Sequence, residues 1–159
     1  MSRYDWLLSL HVLAAFSLVA AYVLYGVMIA WSWRRETPAE MLRLTGISRT
    51  GNVLMWIGSI GTLGLGIWLA LDVDAYSILD GWILGAIVLW ALAMETGRRS
   101  GTLYARAGTR AAELSAAGQE GPSTELGEIL RDRRALMWQA LSSLAVLVLL
   151  WDMIYKPGA

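Results

Sequence analysis

The chain has no cysteine, one histidine, one phenylalanine and three prolines in 159 residues. Without cysteine there is no disulfide, no thiolate nucleophile and no Cys-ligated metal or iron–sulfur centre. With His11 as the only imidazole, a site that needs several histidines from one chain is excluded as well. Charge is sparse: 16% of residues are Asp, Glu, Lys or Arg, against about 25% in an ordinary soluble domain. Thirteen basic residues balance thirteen acidic ones, so no net field draws in nucleic acid. There is no P-loop, no nucleophile elbow and no HExxH. Nothing here spells a catalytic signature, and the expectation is a non-enzymatic protein.

What is plentiful is apolar. Hydrophobic residues make up 57% of the chain, with nine Trp among them. Four long apolar runs occupy about 6–33, 53–71, 81–97 and 135–155. A bilayer core of about 30 Å takes about 20 helical residues, with about 17 as a working minimum. Runs one, two and four meet this, and the third reaches it only by counting Thr96 and Gly97. No run alternates polar and apolar residues as a membrane β-strand would. Helix is the open-chain form that satisfies its own backbone in lipid. The fold class expected is therefore all-α, an up-and-down bundle of four transmembrane helices in one integral membrane domain, 1–159. The first run has a poor basic start, Arg3 against Asp5, and runs well past the length of a signal-peptide core, so it is expected to be retained.

Trp6, Trp31, Trp33, Trp68, Trp82, Trp138 and Trp151 fall near run ends, where an amphipathic indole prefers the headgroup boundary. Trp90 falls mid-run and is expected between helices. Eleven of the thirteen basic residues lie in two connections, 34–52 and 98–134. The connection after run two has none, and carries Asp72, Asp74 and Asp80 instead. The positive-inside rule places 34–52 and 98–134 in the cytoplasm and both termini outside. Within those connections, Thr37-Pro38-Ala39-Glu40 predicts a capped short helix over 38–44, ended at Gly46. Residues 102–117 are helix-compatible, 118–123 (GQEGPS) read as a break, and Ser123 or Thr124 can cap a helix running unbroken into run four.

Several side chains could carry function. His11 lies about 7.5 Å along the helix from Trp6. An ionisable group at that depth can ligate haem b or copper, relay protons, or simply hydrogen-bond between helices. A second axial ligand would have to be Met or the His11 of another copy. Glu95 ends run three with Arg98 and Arg99 at i+3 and i+4, which reads as an interfacial ion pair or as a proton- or cation-handling carboxylate. Asp152 and Lys156 repeat the i,i+4 pattern at the end of run four. Asp72, Asp74 and Asp80 are oxygen donors without EF-hand spacing, and read as a solvated loop or a cation site. Gly58, Thr62 and Gly66 recur at four-residue spacing in run two, and Gly81 and Gly85 in run three. Small residues at that spacing let helix backbones meet, within the chain, in a homo-oligomer or against a membrane partner subunit.

The segment Asp5-Trp6-Leu7-Leu8-Ser9-Leu10-His11-Val12-Leu13-Ala14-Ala15, with SRTGNVLMWIGSIGTLGLGIWLA (48–70) and DGWILGAIVLWALA (80–93), resembles the DUF2269 family of predicted bacterial integral membrane proteins. The Leu-His-Val-Leu stretch is also similar to the copper-resistance D family and to b-type cytochrome membrane subunits, which carry many more histidines than this chain. The resemblance implies the bundle fold and a bacterial plasma-membrane address, and no activity. Three expectations stand together: a packing or partner subunit in the lipid bilayer, a haem- or copper-handling protein using His11, and a small proton or cation transporter using Glu95.

Overall fold

The computed structural model describes residues 2–33, 37–72 and 77–157. The described residues form five α-helices: α1 Arg3–Ser32, α2 Pro38–Asp72, α3 Gly81–Ala116, α4 Thr124–Leu130 and α5 Arg133–Tyr155. The all-α expectation holds. The stretches Arg3–Ser32, Pro38–Asp72 and Thr124–Tyr155 are long and apolar enough to cross a membrane. The third run, which opens α3, falls short of that, because Glu95, Arg98 and Arg99 follow soon after Met94.

The surface explains what solvent such helices need. Only 22% to 28% of the most apolar window of each of the three stretches is buried. Phe16, Leu71, Leu147 and Ile154 point outward. A soluble monomer rarely carries apolar surface on that scale, whereas hydrocarbon accepts it at no cost.

Two corrections concern α2 and α3. The short helix over 38–44 does not stop at Gly46: α2 runs on through it for 35 residues. Gly46 lacks the positive φ of a C-cap, and a Cβ built on it would meet nothing from the rest of the fold within 4 Å, so nothing there halts the ladder. Likewise α3 continues through 98–116 for 36 residues. At 1.5 Å per residue each helix is more than 50 Å long, about 20 Å beyond a hydrocarbon core. A third correction concerns 124–155, which is broken. Arg131 ends α4, and the Asp132 carboxylate accepts from the Arg134 N–H at 2.8 Å to start α5 afresh.

The break at 118–123 is as expected. Gly118 takes φ 78°; its N–H donates to Ser115 and that of Gln119 to Leu114, each at 3.0 Å, a Schellman ending. Ser123 then caps α4 by accepting from Leu126 N–H at 3.4 Å. Folded back, α4 buries Leu126 and Leu130 against Met41, Leu44, Ala107 and Ala111. Each fully buried leucine stabilises this small head by about 1.5–3 kcal/mol. Arg110 closes it by bonding Glu113 at 2.7 Å and Glu125 at 2.8 Å, and these carboxylates hold its guanidinium proton more firmly than usual.

In the apolar part, α1 packs chiefly on α2 and α3 on α5; α2 joins the two pairs through α3, while α1 and α5 meet only locally, where Leu18 and Tyr22 pack with Ala145 and Val146. Arg3 pairs with Asp72 at 3.0 Å, which sets the start of α1 beside the end of α2. Cations stand over indoles at both ends of the bundle: Arg99 over Trp138 at 4.9 Å, Arg3 over Trp68 at 5.8 Å and Lys156 over Trp82 at 5.4 Å. Such pairs suit a headgroup boundary, where the ring sits in the apolar layer and the charge above it.

Candidate functional site

Helices α1 and α2 approach closely because small residues line α2. A Cβ built on Gly58 would stand 2.7 Å from Leu18 Cα, and one on Gly61 would stand 2.8 Å from Ala14 Cβ. One turn further on, His11 fills the space that a side chain at Gly66 would take: a Cβ there would lie 3.0 Å from His11 Cε1 and 3.4 Å from Nδ1. Thus Gly58 and Gly66 make room for α1 of the same chain. Thr62 is buried between them.

Where α1 and α5 part, a cavity of about 570 Å³ remains, within the usual range for small-molecule sites of about 300–1,000 Å³. All four long helices line it: His11 and Phe16 from α1, Thr62 and Gly66 from α2, Trp82, Ala86 and Trp90 from α3, Leu150 and Ile154 from α5. Its walls are mainly hydrocarbon and aromatic rings. Phe16 and Ile154 are 68% and 72% exposed, so the gap between α1 and α5 is open sideways. Trp90 is fixed by donating to the Ser59 carbonyl at 3.2 Å, which bears out its expected place between helices.

Two polar atoms at this site have no hydrogen-bond partner, His11 Nδ1 and Thr62 Oγ1. The imidazole nevertheless interacts with the Thr62 backbone carbonyl, so Thr62 Oγ1 is the atom left wholly without a partner. A mid-helix threonine usually satisfies its hydroxyl on the carbonyl one turn back; Thr62 does not. A buried polar atom left unpaired costs about 1–3 kcal/mol.

The other candidates lie apart. Glu95 is gripped by Arg98 through two 2.9 Å bonds and by Arg99 at 2.7 Å, on the outside of the bundle, and it does not line the cavity. Gly81 faces open space. Gly85 lies 3.7 Å, measured from a Cβ built on it, from Asp152 Oδ1. Asp152 is buried with Oδ2 unpartnered; the expected ion pair with Lys156 is not formed, and the ammonium stands over Trp82 instead. Asp72 binds Arg3, and Asp80 accepts from the Ser77 N–H at 2.9 Å. Asp74 lies outside the described residues. Among the described residues no three His, Asp or Glu side chains gather as a metal site.

Sequence reasoning missed a buried polar cluster. The Tyr22 hydroxyl meets Ser142 Oγ at 2.6 Å, and both reach the Ala93 carbonyl, at 3.3 and 2.7 Å. It ties α1, α3 and α5 together below the cavity. Its only sequence signal is a Tyr and a Ser set inside apolar runs. Gly97 permits it, since a Cβ there would lie 3.1 Å from Ser142 Oγ.

Compared with known proteins, the chain matches no family model, no curated protein and no solved structure.

Proposed function

We propose that this chain is a non-enzymatic protein of the bacterial plasma membrane that holds a membrane-dissolved apolar molecule in the cavity between α1 and α5. The observation that carries the reading is the cavity itself: about 570 Å³, walled by apolar and aromatic side chains, with exposed Phe16 and Ile154 at its edges. A site of that kind collects its ligand from lipid, where apolar molecules are concentrated.

The same proposal includes four crossings, with α3 as the fourth, both termini outside and the Arg-rich head in the cytoplasm. Its support is the basic residues of 34–52 and 98–134, set against the acidic connection at the other end. The DUF2269 resemblance accords with this address. The geometry favours a binding role over ion transport, because Glu95 is saturated by two arginines away from the cavity. Haem or copper at His11 would need a second ligand, from a Met or from the His11 of another copy, and among the described residues no three His, Asp or Glu side chains gather there. A second copy or a partner subunit would dock on outer faces, since Gly58 and Gly66 are occupied by α1.

Ala86 lines the cavity, and Ala86→Phe would fill it. Native mass spectrometry of protein released from lipid nanodiscs should show a retained apolar molecule in the wild type and none in the variant. Wild-type protein that retains nothing, or a variant that retains as much, refutes the reading.

A further inference from the structure

The two ends of the cavity differ in chemistry. In its deep part, His11 Nδ1 and Thr62 Oγ1 are buried away from the open space, and the Trp90 indole N–H is bonded to the Ser59 carbonyl. What remains there, between Phe16, Ala86 and Trp90, is hydrocarbon and ring faces. At the outer end stands a cation. Among the described residues that line the cavity, Lys156 alone carries a standing charge, and none is an acid. Its Nζ lies 5.4 Å from the centroid of the Trp82 ring, itself part of the cavity wall. Two acids near that end lie apart from it: Asp72 binds Arg3, and Asp152 is buried against Gly85. Lys156 also ends α5 with φ 43° and ψ 61°, a left-handed conformation that glycine usually takes there. A lysine held so is strained, and such strain gathers at functional positions. From this charged rim the cavity runs inward along α3 from Trp82 to Trp90, about 12 Å, and along α1 from Tyr4 to Val19, about 22 Å, at 1.5 Å per residue.

Building on the proposed apolar-ligand reading, we propose that the cavity binds a long-chain fatty acid, its carboxylate at Lys156 and its alkyl chain laid inward between α1 and α5. A carboxylate accepts charge-assisted hydrogen bonds from an ammonium. That ammonium has three donors, so the contact does not require Lys156 to leave Trp82. A plain alkyl chain asks for no polar partner, which suits the deep part of the cavity. A hydrocarbon without a head would leave the charge at the rim unmatched. A phospholipid brings a second chain and a larger head, and the described lining offers it no second cation. The open flank beside Phe16 and Ile154 lets the acid slide in from lipid, with its charged head staying at the boundary throughout.

The probe is a dibrominated stearic acid added to the purified protein in phosphatidylcholine nanodiscs freed of fatty acid. The readout is saturable quenching of tryptophan fluorescence, since bromine on the chain would meet Trp82 and Trp90. Palmitic acid should displace the probe, and methyl palmitate, which has the chain and lacks the charge, should displace it poorly. Lys156→Gln should weaken binding by about tenfold, the size of one lost charged hydrogen bond. Lys156→Arg should bind nearly as the wild type does, and Ala86→Phe should abolish binding. Undiminished affinity in Lys156→Gln, or methyl palmitate displacing as well as palmitic acid, would overturn the fatty-acid assignment, while the Ala86→Phe block leaves the cavity reading standing. Displacement by phosphatidylglycerol and not by palmitic acid would overturn it too, in favour of a phospholipid head. Wild-type protein that shows no saturable quenching, yet retains an apolar molecule by native mass spectrometry, would likewise remove the fatty acid alone. Saturable quenching that is the same in Ala86→Phe as in wild type would remove both.

Discussion

Gly58 of α2 lies so near Leu18 of α1 that a Cβ placed on it would be 2.7 Å from Leu18 Cα. The obstructing atom is backbone, which cannot swing aside. Gly58→Ala should therefore destabilise the bundle by about 1–3 kcal/mol, the usual cost of overpacking. Gly64, where a built Cβ would meet nothing within 4 Å, gives the control: Gly64→Ala should be neutral or stabilising by up to about 1 kcal/mol through helix propensity. Thermal unfolding in detergent reads both, and equal effects would mean that α1 and α2 do not meet at Gly58.

The polar cluster under the cavity should behave as a unit. Tyr22 and Ser142 share a 2.6 Å bond and one acceptor, the Ala93 carbonyl. Tyr22→Phe and Ser142→Ala should each cost about 0.6 kcal/mol, typical for hydrogen bonds between membrane helices. The double variant should cost less than the two together, because their mutual bond is lost only once. Strict additivity in a double-mutant cycle would show that the two hydroxyls do not interact.

The Arg-rich head rests on α4. Leu126 is fully buried, and Leu126→Ala should cost the head about 2–5 kcal/mol. Hydrogen exchange should then rise in 98–130 while the Tyr22–Ser142 region keeps its protection. Exchange unchanged in 98–130 would mean that α4 does not hold α2 and α3 together there.

Tyr104 lies in that head, and burial pushes its phenol up to about 12, the nearby Trp33 indole partly offsetting this. The folded form keeps the proton where the unfolded chain, with a tyrosine near 10, has begun to lose it. The stability this adds is therefore complete below about pH 10 and is lost as pH rises through about 12. Ultraviolet titration of wild type minus Tyr104→Phe should show one tyrosinate appearing near 12. A midpoint near 10 would place Tyr104 in water.

Much of the architecture was legible because hydrophobic run length is a direct physical signal. The end of α3 after residue 116 and the cap at Ser123 followed from Gly118 and from Ser chemistry. The overlong α2 and α3 were harder to read. Gly46 looked like a stop, yet a glycine ends a helix only when its φ turns positive, and that depends on packing further along the chain. The capping role of Asp132 has no local signal, since it depends on the chain turning between α4 and α5. At the site, His11, Thr62 and Gly66 could each be picked out singly. That they meet on one cavity wall could not, because it depends on the register between α1 and α2, which the Gly58–Leu18 approach decides. The Tyr22–Ser142 bond joins residues 120 positions apart, beyond the reach of any local pattern.

Helices α1 and α5 leave one flank of the bundle unsealed. Molecules arriving by that door need never dissolve in water, so occupancy would track how strongly a compound partitions into oil. Two compounds with equal fit but unequal greasiness would then rank by greasiness, and dosing by aqueous concentration alone would misjudge both.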